Sequence, residues 1–397
     1  MFKFVVLGGG TAGWLAALNL KKFMPYCTVT VVASSEIGIL GAGEGTTPHF
    51  MEMLERLDIK EEEFFNNCRA TYKRSIKFTN WNGDGSEYDH PFWDNKHALH
   101  FDARLTADYL KSVAISRGVN YIDNTISKVG SVDSEGNILS LVFMDATGIE
   151  LDFLIDCSGL KRKIIGEFYK SEWISYANHL PAKRAIPFFL PREESDTQDY
   201  TGAIAMKNGW AWKIPVQGRF GCGYVFDSDF CTDDEAIDEI KQMFGDVEIP
   251  TKFNFEAGCY KDTWIKNCVA IGLSAGFTEP MEATSIWIQV QSLKALIEIL
   301  PRYIRDGHLA TKYYNEAVRE MNNNLMVFLH LHYLTKRDDT EFWKTFTTKN
   351  STPEELLKMR DIINTRALTD TDVETSNIPT FQMNSWMTVG QGVGYFG

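Results

Sequence analysis

The chain has 397 residues, 44% hydrophobic and 23% charged, enough for one large α/β unit or two closely packed ones around a substantial core. A formal net charge of −13 argues against a nucleic-acid partner, and no apolar run approaches a membrane-spanning length. Seven dispersed cysteines without a C-x-x-C pair read as reduced thiols, which points to the cytoplasm.

The N-terminus could be mistaken for an export signal, but its apolar core is short and broken by three glycines. Phe4 to Leu7 is a continuous apolar run suited to a buried parallel strand. Gly8-Gly9-Gly10-Thr11-Ala12-Gly13 follows at once, then a helical pattern from Trp14 to Phe23 and a second strand from Thr28 to Val32. Strand, G-x-G-x-x-G, helix, strand is the order a dinucleotide site needs. Gly8 permits the tight turn, Gly10 lets backbone approach a pyrophosphate, and Gly13 allows close helix packing. The amides at the helix start, Thr11 and Ala12, face the anion. The acid expected about twenty positions on for the ribose falls on Ala33, leaving Ser34, Ser35 or Glu36 as substitutes. No second G-x-G-x-x-G follows, so a bound FAD would receive its electrons from a separately reduced pool.

Further along, Tyr72, Arg74, Ile76 and Phe78 alternate around Lys73 and imply a strand at about 74–80. A helix is expected from Asp102 to Ser116, strands at 120–132 and 138–144, and a strand entering Asp156. Residues from about 184 to 260 read as strand-rich, with Trp210 and Trp212 on one side of a strand. From Thr284 the chain turns mainly helical, through Ala295, Tyr314 and Leu329. His97-x-x-His100 and His330-x-His332 lack the cysteine or carboxylate company of a metal site, so none is expected. With no linker to mark a boundary, the chain reads as a discontinuous nucleotide domain over 1–300 with an inserted sheet at about 184–260, followed by a helical region over 301–397.

Several of these segments together resemble the flavin-dependent halogenases, whose best-known members act on tryptophan. Trp210-Ala211-Trp212-Lys213-Ile214-Pro215 matches the W-x-W-x-I-P signature of that family, and Gly43-Glu44-Gly45-Thr46-Thr47-Pro48 is similar to its flavin-covering strap. Thr71 to Trp81 resembles the strand of the catalytic lysine, which falls on Lys73. Asp156-Cys157-Ser158-Gly159 and the run from Gly272 to Ser285 follow in family order, as do His332-Tyr333 and Arg337 to Trp343.

The resemblance implies an α/β, FAD-binding Rossmann-like fold of the glutathione reductase and aromatic hydroxylase type, with an inserted β-sheet and a helical C-terminal part. It implies FAD, used as FADH2, with Gly43, Glu44, Gly45, Thr46, Arg104, Gly272 and Gly276 joining Gly8, Gly10, Thr11, Ala12, Gly13, Ser34 and Glu36 around it. Lys73 would relay hypohalous acid. Glu282, preferred over its neighbour Glu279, would accept the ring proton or polarise the acid. Thr284 and Ser285, at a helix start, would hold the halide ion. His90 and Phe92 would wall the substrate ring, and Trp210 and Trp212 would keep that ring from the flavin.

Two departures bear on the substrate. Only seven residues, Trp93 to Leu99, separate Phe92 from the block at His100, where tryptophan-specific members carry a long insertion, and the chain stops soon after Trp386. The expectation is an accessible small aromatic ring rather than strictly tryptophan, with a separate flavin reductase as partner and a possible homo-oligomer. The alternatives are an aromatic hydroxylase of the same architecture, which would not need Lys73, and a non-catalytic reduced-flavin carrier, against which intact Lys73 and Glu282 argue.

Overall fold

The computed structural model describes residues 1–38, 43–306, 309–349, 352–373, 378 and 380–396. β1 (Lys3–Leu7), α1 (Thr11–Phe23) and β2 (Thr28–Ala33) are followed by β3 (Glu44–Gly45), α2 (Pro48–Arg56), α3 (Glu61–Asn67), β4 (Thr71–Lys73), β5 (Ser75–Thr79), β6 (Glu87–Pro91), β7 (Ala98–Phe101) and α4 (Ala103–Ser116). Next come β8 (Asn120–Asp123), β9 (Ile126–Val132), β10 (Ile138–Phe143), β11 (Gly148–Glu150), β12 (Phe153–Asp156) and β13 (Trp173–Ser175). β14 (Arg184–Pro191), β15 (Tyr200–Ala205), β16 (Gly209–Val216), β17 (Arg219–Phe226), α5 (Asp233–Phe244) and β18 (Phe253–Asn254) lead to β19 (Gly258–Tyr260), β20 (Trp264–Ile265), β21 (Cys268–Ala270) and β22 (Gly276–Phe277). The chain then runs through α6 (Thr284–Asp306), α7 (Leu309–His332), α8 (Glu341–Lys349), α9 (Glu354–Ile363), α10 (Asp370–Val373) and α11 (Met383–Gly392).

The nucleotide-type sheet has the order β20-β21-β12-β1-β2-β8, parallel except for β20 on its edge. Phe4, Val6, Leu154 and Ile155 in its centre are wholly buried, as expected for a parallel sheet covered on both faces. α1 and α6 pack against each other, so the glycine loop and the run beginning at Thr284 share one layer. A second, seven-stranded sheet has the order β18-β14-β17-β16-β15-β5-β6. It therefore takes two strands from residues 75–91 in addition to those from 184 onward. The C-terminal helices cover it through an aromatic core that includes Trp81, Trp210, Tyr333, Trp343 and Trp386. The boundary expected at residue 300 falls inside α6, which continues to Asp306.

Three local expectations change. The strand expected across 74–80 begins at Ser75, and Lys73 belongs to a different strand, β4, in the small sheet β3-β7-β4. That break re-phases the side chains. In one continuous strand with Ile76 and Phe78 inward, Lys73 would point outward, three residues being an odd step. The interruption at Arg74 lets Lys73, Ile76 and Phe78 all be buried while Tyr72 stays exposed. The strand at 120–132 is likewise two, β8 in the large parallel sheet and β9 in a separate antiparallel one. α5 interrupts the strand-rich segment; its signal was Thr232-x-x-Glu235, a capping box with both reciprocal hydrogen bonds formed.

Candidate active site

The glycine loop has the geometry a pyrophosphate needs. A side chain on Gly13 would lie 2.0 Å from Gly8 O, and one on Gly8 would lie 2.1 Å from Cys157 O, so both positions exclude a Cβ. Space beside Gly10 is open to 4 Å, and Gly10 caps α1 with no side-chain bond to its amides. Thr11 and Ala12 form the first turn of that helix. Opposite the loop, Gly272 adopts φ +73°, and a Cβ there would meet Ala12 at 3.0 Å and Gln289 at 3.3 Å. Gln289 Oε1 is buried with no hydrogen-bond partner, an acceptor open to a hydroxyl or N–H of a guest rather than to its phosphates. These features fit a bound dinucleotide. Gly276 is also constrained by packing, since a Cβ there would strike Cys259 at 2.7 Å across the pairing of β22 with β19.

At the ribose end, Gly9 leaves only 2.7 Å between its would-be Cβ and that of Ala33, so the loop packs directly on the end of β2. Ser34 Oγ accepts from Glu36 N at 3.2 Å, Glu36 is exposed, and Ser35 N donates to Asp123 Oδ1 at 2.8 Å. Asp123, on β8 beside Ala33, is the carboxylate of this corner and was not singled out in the sequence. Arg104 lies exposed in the first turn of α4, whose N-cap Asp102 binds Arg219.

The chemically distinctive cluster sits where the seven-stranded sheet, the small sheet β3-β7-β4 and the turn at Pro280 to Ala283 meet. Lys73 is wholly buried and donates from Nζ to Thr46 O at 3.0 Å, which ties the catalytic-strand candidate to the strap Gly43 to Thr46. Burial pushes its ammonium down to about 8, opposed by the charge of Glu282. The Phe92 ring lies 5.3 Å from Nζ. In the strap, burial pushes the Glu44 carboxyl up to about 7, and Gly43 faces Gly221 and Ile214. Lys73, Gly45, Thr201, Trp210 and Glu282 line one cavity of about 20 Å³, room for about one small guest.

Glu282 is buried in a left-handed backbone conformation, φ 61°. Both its oxygens lie 2.8–2.9 Å from His90 Nδ1, and Oε1 lies 3.0 Å from His332 Nε2. Burial would raise this carboxyl, but the His90 charge and the hydrogen bonds from both histidines outweigh it and hold it well below the usual carboxylate range. The ionised carboxylate accepts, so His332 Nε2 donates. His332 Nδ1 lies 3.0 Å from Phe328 O, so the ring is held at both nitrogens. His90 Nε2 meets Ser385 Oγ of α11 at 2.9 Å. His90, expected to stack on a substrate ring, is thus a buried clamp on Glu282, and Phe328 and Phe381 sit 6.0 Å from it. His332 and Ser385 were not read as site residues, because neither is near Glu282 in sequence.

Glu279 is separate. It accepts from Trp210 Nε1 and Ala182 N, both at 3.2 Å, and from Tyr333 OH, and burial raises its carboxyl. It anchors Trp210 from behind. Trp212 packs over Gly223, where a Cβ would lie 2.1 Å from its ring. At the start of α6, the N–H and the hydroxyl of Thr284 both turn to Met281 O, and Ser285 follows as the next residue of the helix. Among the described residues no group of three or more His, Cys, Asp or Glu could hold a metal ion, and no helix is long and apolar enough to cross a membrane.

The fractional burial of Lys73 makes a direct prediction for stability. An unfolded lysine titrates near 10.5 and this one near 8, so between those values Lys73 itself contributes stability that climbs with pH, against the opposite slope from buried thiols whose values are raised. The stability difference between wild type and Lys73→Met, measured by denaturant unfolding at several pH values across the window, should shift in favour of wild type as pH rises.

Comparison with known proteins converges on one family. Residues 3–96 and 93–397 match the family model described as tryptophan halogenase. A tryptophan 7-halogenase of Kutzneria sp. (strain 744) is 31% identical over 414 residues, covering 86% of this chain and 77% of its own. The crystal structure of a tryptophan 6-halogenase from Streptomyces toxytricini superposes with a TM-score of 0.94 at 29% identity, covering 100% of this chain and 91% of that one. A flavin-dependent halogenase from Brevundimonas sp. BAL3 gives a TM-score of 0.91 at 28% identity over 99% of this chain and 90% of that one.

Proposed function

The chain belongs to the tryptophan halogenase family of oxidoreductase enzymes, and from that premise we propose that it halogenates a small aromatic or heteroaromatic ring with hypohalous acid delivered past Lys73. The observation that carries this reading is a fully buried lysine sharing one small cavity with Glu282 and Trp210. A structural lysine would carry its charge to water.

Gly8, Gly10, Thr11, Ala12 and Gly13 would hold the FAD pyrophosphate, Ser34 and Glu36 the adenosine end, and Gly43, Glu44, Gly45 and Thr46 the flavin side, with Arg104, Gly272 and Gly276 completing the surround. Reduced flavin, supplied by a separate reductase, provides the two electrons with which dioxygen, halide and a proton yield hypohalous acid and water. Thr284 and Ser285 would attract the halide to the N-terminal end of α6 through its dipole, with Ser285 the contact, because the N–H and hydroxyl of Thr284 are taken by Met281 O. Lys73 receives the acid within its cavity and holds it by a hydrogen bond, or its neutral amine takes the halogen as a haloamine, the O–halogen bond breaking and water leaving with the amine proton. Trp210, anchored by Glu279, and Trp212 keep the substrate ring on the far side.

Glu282 fits best as a fixed negative charge. A carboxylate already accepting hydrogen bonds from two histidines is a weak base, but it stabilises the cationic ring that forms on halogen attack. That cation is acidic enough to lose its proton to a weak base. Phe92 would line the route to the ring, and His90 would act through Glu282.

Two tests bear on the binding steps. Gly13→Ala should weaken flavin binding at least about tenfold, because its methyl would overlap Gly8 O; fluorescence titration of FAD reads the effect. Incubation with reduced FAD, bromide and a panel of electron-rich arenes including tryptophan should give brominated products, with tryptophan no better than simple indoles. Selective turnover of free tryptophan would overturn the substrate part, and a complete lack of halide-dependent product would overturn the activity.

A further inference from the structure

The cavity beside Lys73 has a second polar wall whose polarity can be worked out proton by proton. Thr71 has one hydroxyl proton and donates it to Pro215 O at 2.7 Å, since a carbonyl only accepts. Toward His100 Nδ1, 3.2 Å away, Thr71 is therefore an acceptor and Nδ1 carries the hydrogen. His100 is wholly buried, and burial, with the charges of Lys73 and Arg192, holds it well below its ordinary value. A neutral imidazole with its hydrogen on Nδ1 has a bare Nε2. Thr201, 2.8 Å from that nitrogen, must donate its own single proton to it. Its oxygen then meets any other neighbour only as an acceptor.

Thr201 lines the same cavity as Lys73. The position a Cβ on Gly45 would occupy is 3.4 Å from both Lys73 Nζ and Thr201 Oγ1, so donor and acceptor converge on one point. The absence of a side chain at Gly45 keeps that point clear. A guest suited to it has one O–H and one oxygen lone pair within a few ångströms. Halide ion has no hydrogen to offer, and a bare lysine pocket would leave the orientation of such a guest free.

We propose that Thr201 is the acceptor half of the hypohalous acid site, with His100 the positioning residue that fixes the direction of its hydroxyl. The O–H of the acid donates to Thr201, its oxygen accepts from Lys73, and the halogen is the end left facing the substrate side. No bond forms or breaks in this step. The proposal rests on the halogenase reading above and adds to it the residues that orient the oxidant.

The test uses the full-length enzyme with reduced FAD, bromide and an activated arene, and counts brominated product and scavenger-trapped hypobromous acid per flavin oxidised. Thr201→Val keeps the shape and removes the hydroxyl. It should leave flavin affinity and oxidation rate unchanged, lower the product yield about tenfold and raise the trapped acid correspondingly. Thr201→Ser should restore the yield to within about twofold. Should the valine variant fail to fold, Thr201→Ala is expected to show the same loss. A second readout needs no flavin: long-range ¹H–¹⁵N spectra of the apoprotein should show His100 protonated on Nδ1. A wild-type yield in the valine variant, or His100 protonated on Nε2, overturns the proposal. If the wild-type enzyme gives neither brominated arene nor trapped acid, the halogenase reading itself fails, and the tautomer still judges the Thr71–His100–Thr201 chain.

Discussion

Lys73→Met should reduce halide-dependent product by about a thousandfold or more while leaving flavin binding and flavin oxidation near wild type. The variant loses the only cationic side chain among the residues lining the cavity, yet it keeps the glycine loop, the strap and the Trp210 wall. Hypohalous acid made at the flavin would then leak, so a scavenger should recover it. The same substitution should raise the unfolding temperature, because methionine fills the space without the cost of a buried ammonium. Activity lost with stability gained is the mark of a residue kept for chemistry. A lysine with a purely structural role would show the reverse pattern: lower stability and little change in product per flavin oxidised.

The second large effect belongs to Glu282→Gln. The amide removes the charge and sets an N–H donor against His90 Nδ1, while its carbonyl can still accept from both histidines, so turnover should fall about a hundredfold through the lost charge. Stability should fall by about 3 kcal/mol, because the two buried histidines lose the carboxylate that accepts from them. The sign with pH follows from the depressed carboxyl. Its stabilisation is complete above the ordinary value of 4.5 and is lost as pH falls toward the lower folded value. The gap between wild type and Glu282→Gln should therefore be full at neutral pH and narrow in acid, as denaturant titrations at each pH would show. A gap that widens below pH 4.5 would mean that the carboxyl is not held ionised by its histidines.

How far the sequence carried the structure depends on the range of the interaction. The glycine loop was readable because G-x-G-x-x-G is a local steric rule, and the structure places the forbidden contacts at Gly8 and Gly13. The helix from Asp102 was readable in the sequence, and the structure adds that Asp102 caps it; α5 would have been readable from Thr232 and Glu235. Lys73 shows the limit of periodicity. Alternation puts Lys73 on the face opposite Ile76 and Phe78, and only the change of sheet at Arg74 lets all three be buried. The clamp on Glu282 was out of reach, since His90 lies 192 residues before it and Ser385 lies 295 residues beyond His90. His100 and Thr201, 101 residues apart, gave no local sign of a shared proton chain. Resemblance named Lys73 and Glu282, but their physical partners emerged only from packing.

The most direct test of the account is the mass spectrum of an activated arene after incubation with the enzyme, reduced FAD, dioxygen and bromide, alongside the Lys73→Met variant. The account predicts the bromine isotope doublet on the ring with wild type, its absence without bromide, and its near-complete loss in the variant. A product that instead gains a single oxygen atom, forms without halide and persists in Lys73→Met would contradict it and identify a hydroxylase.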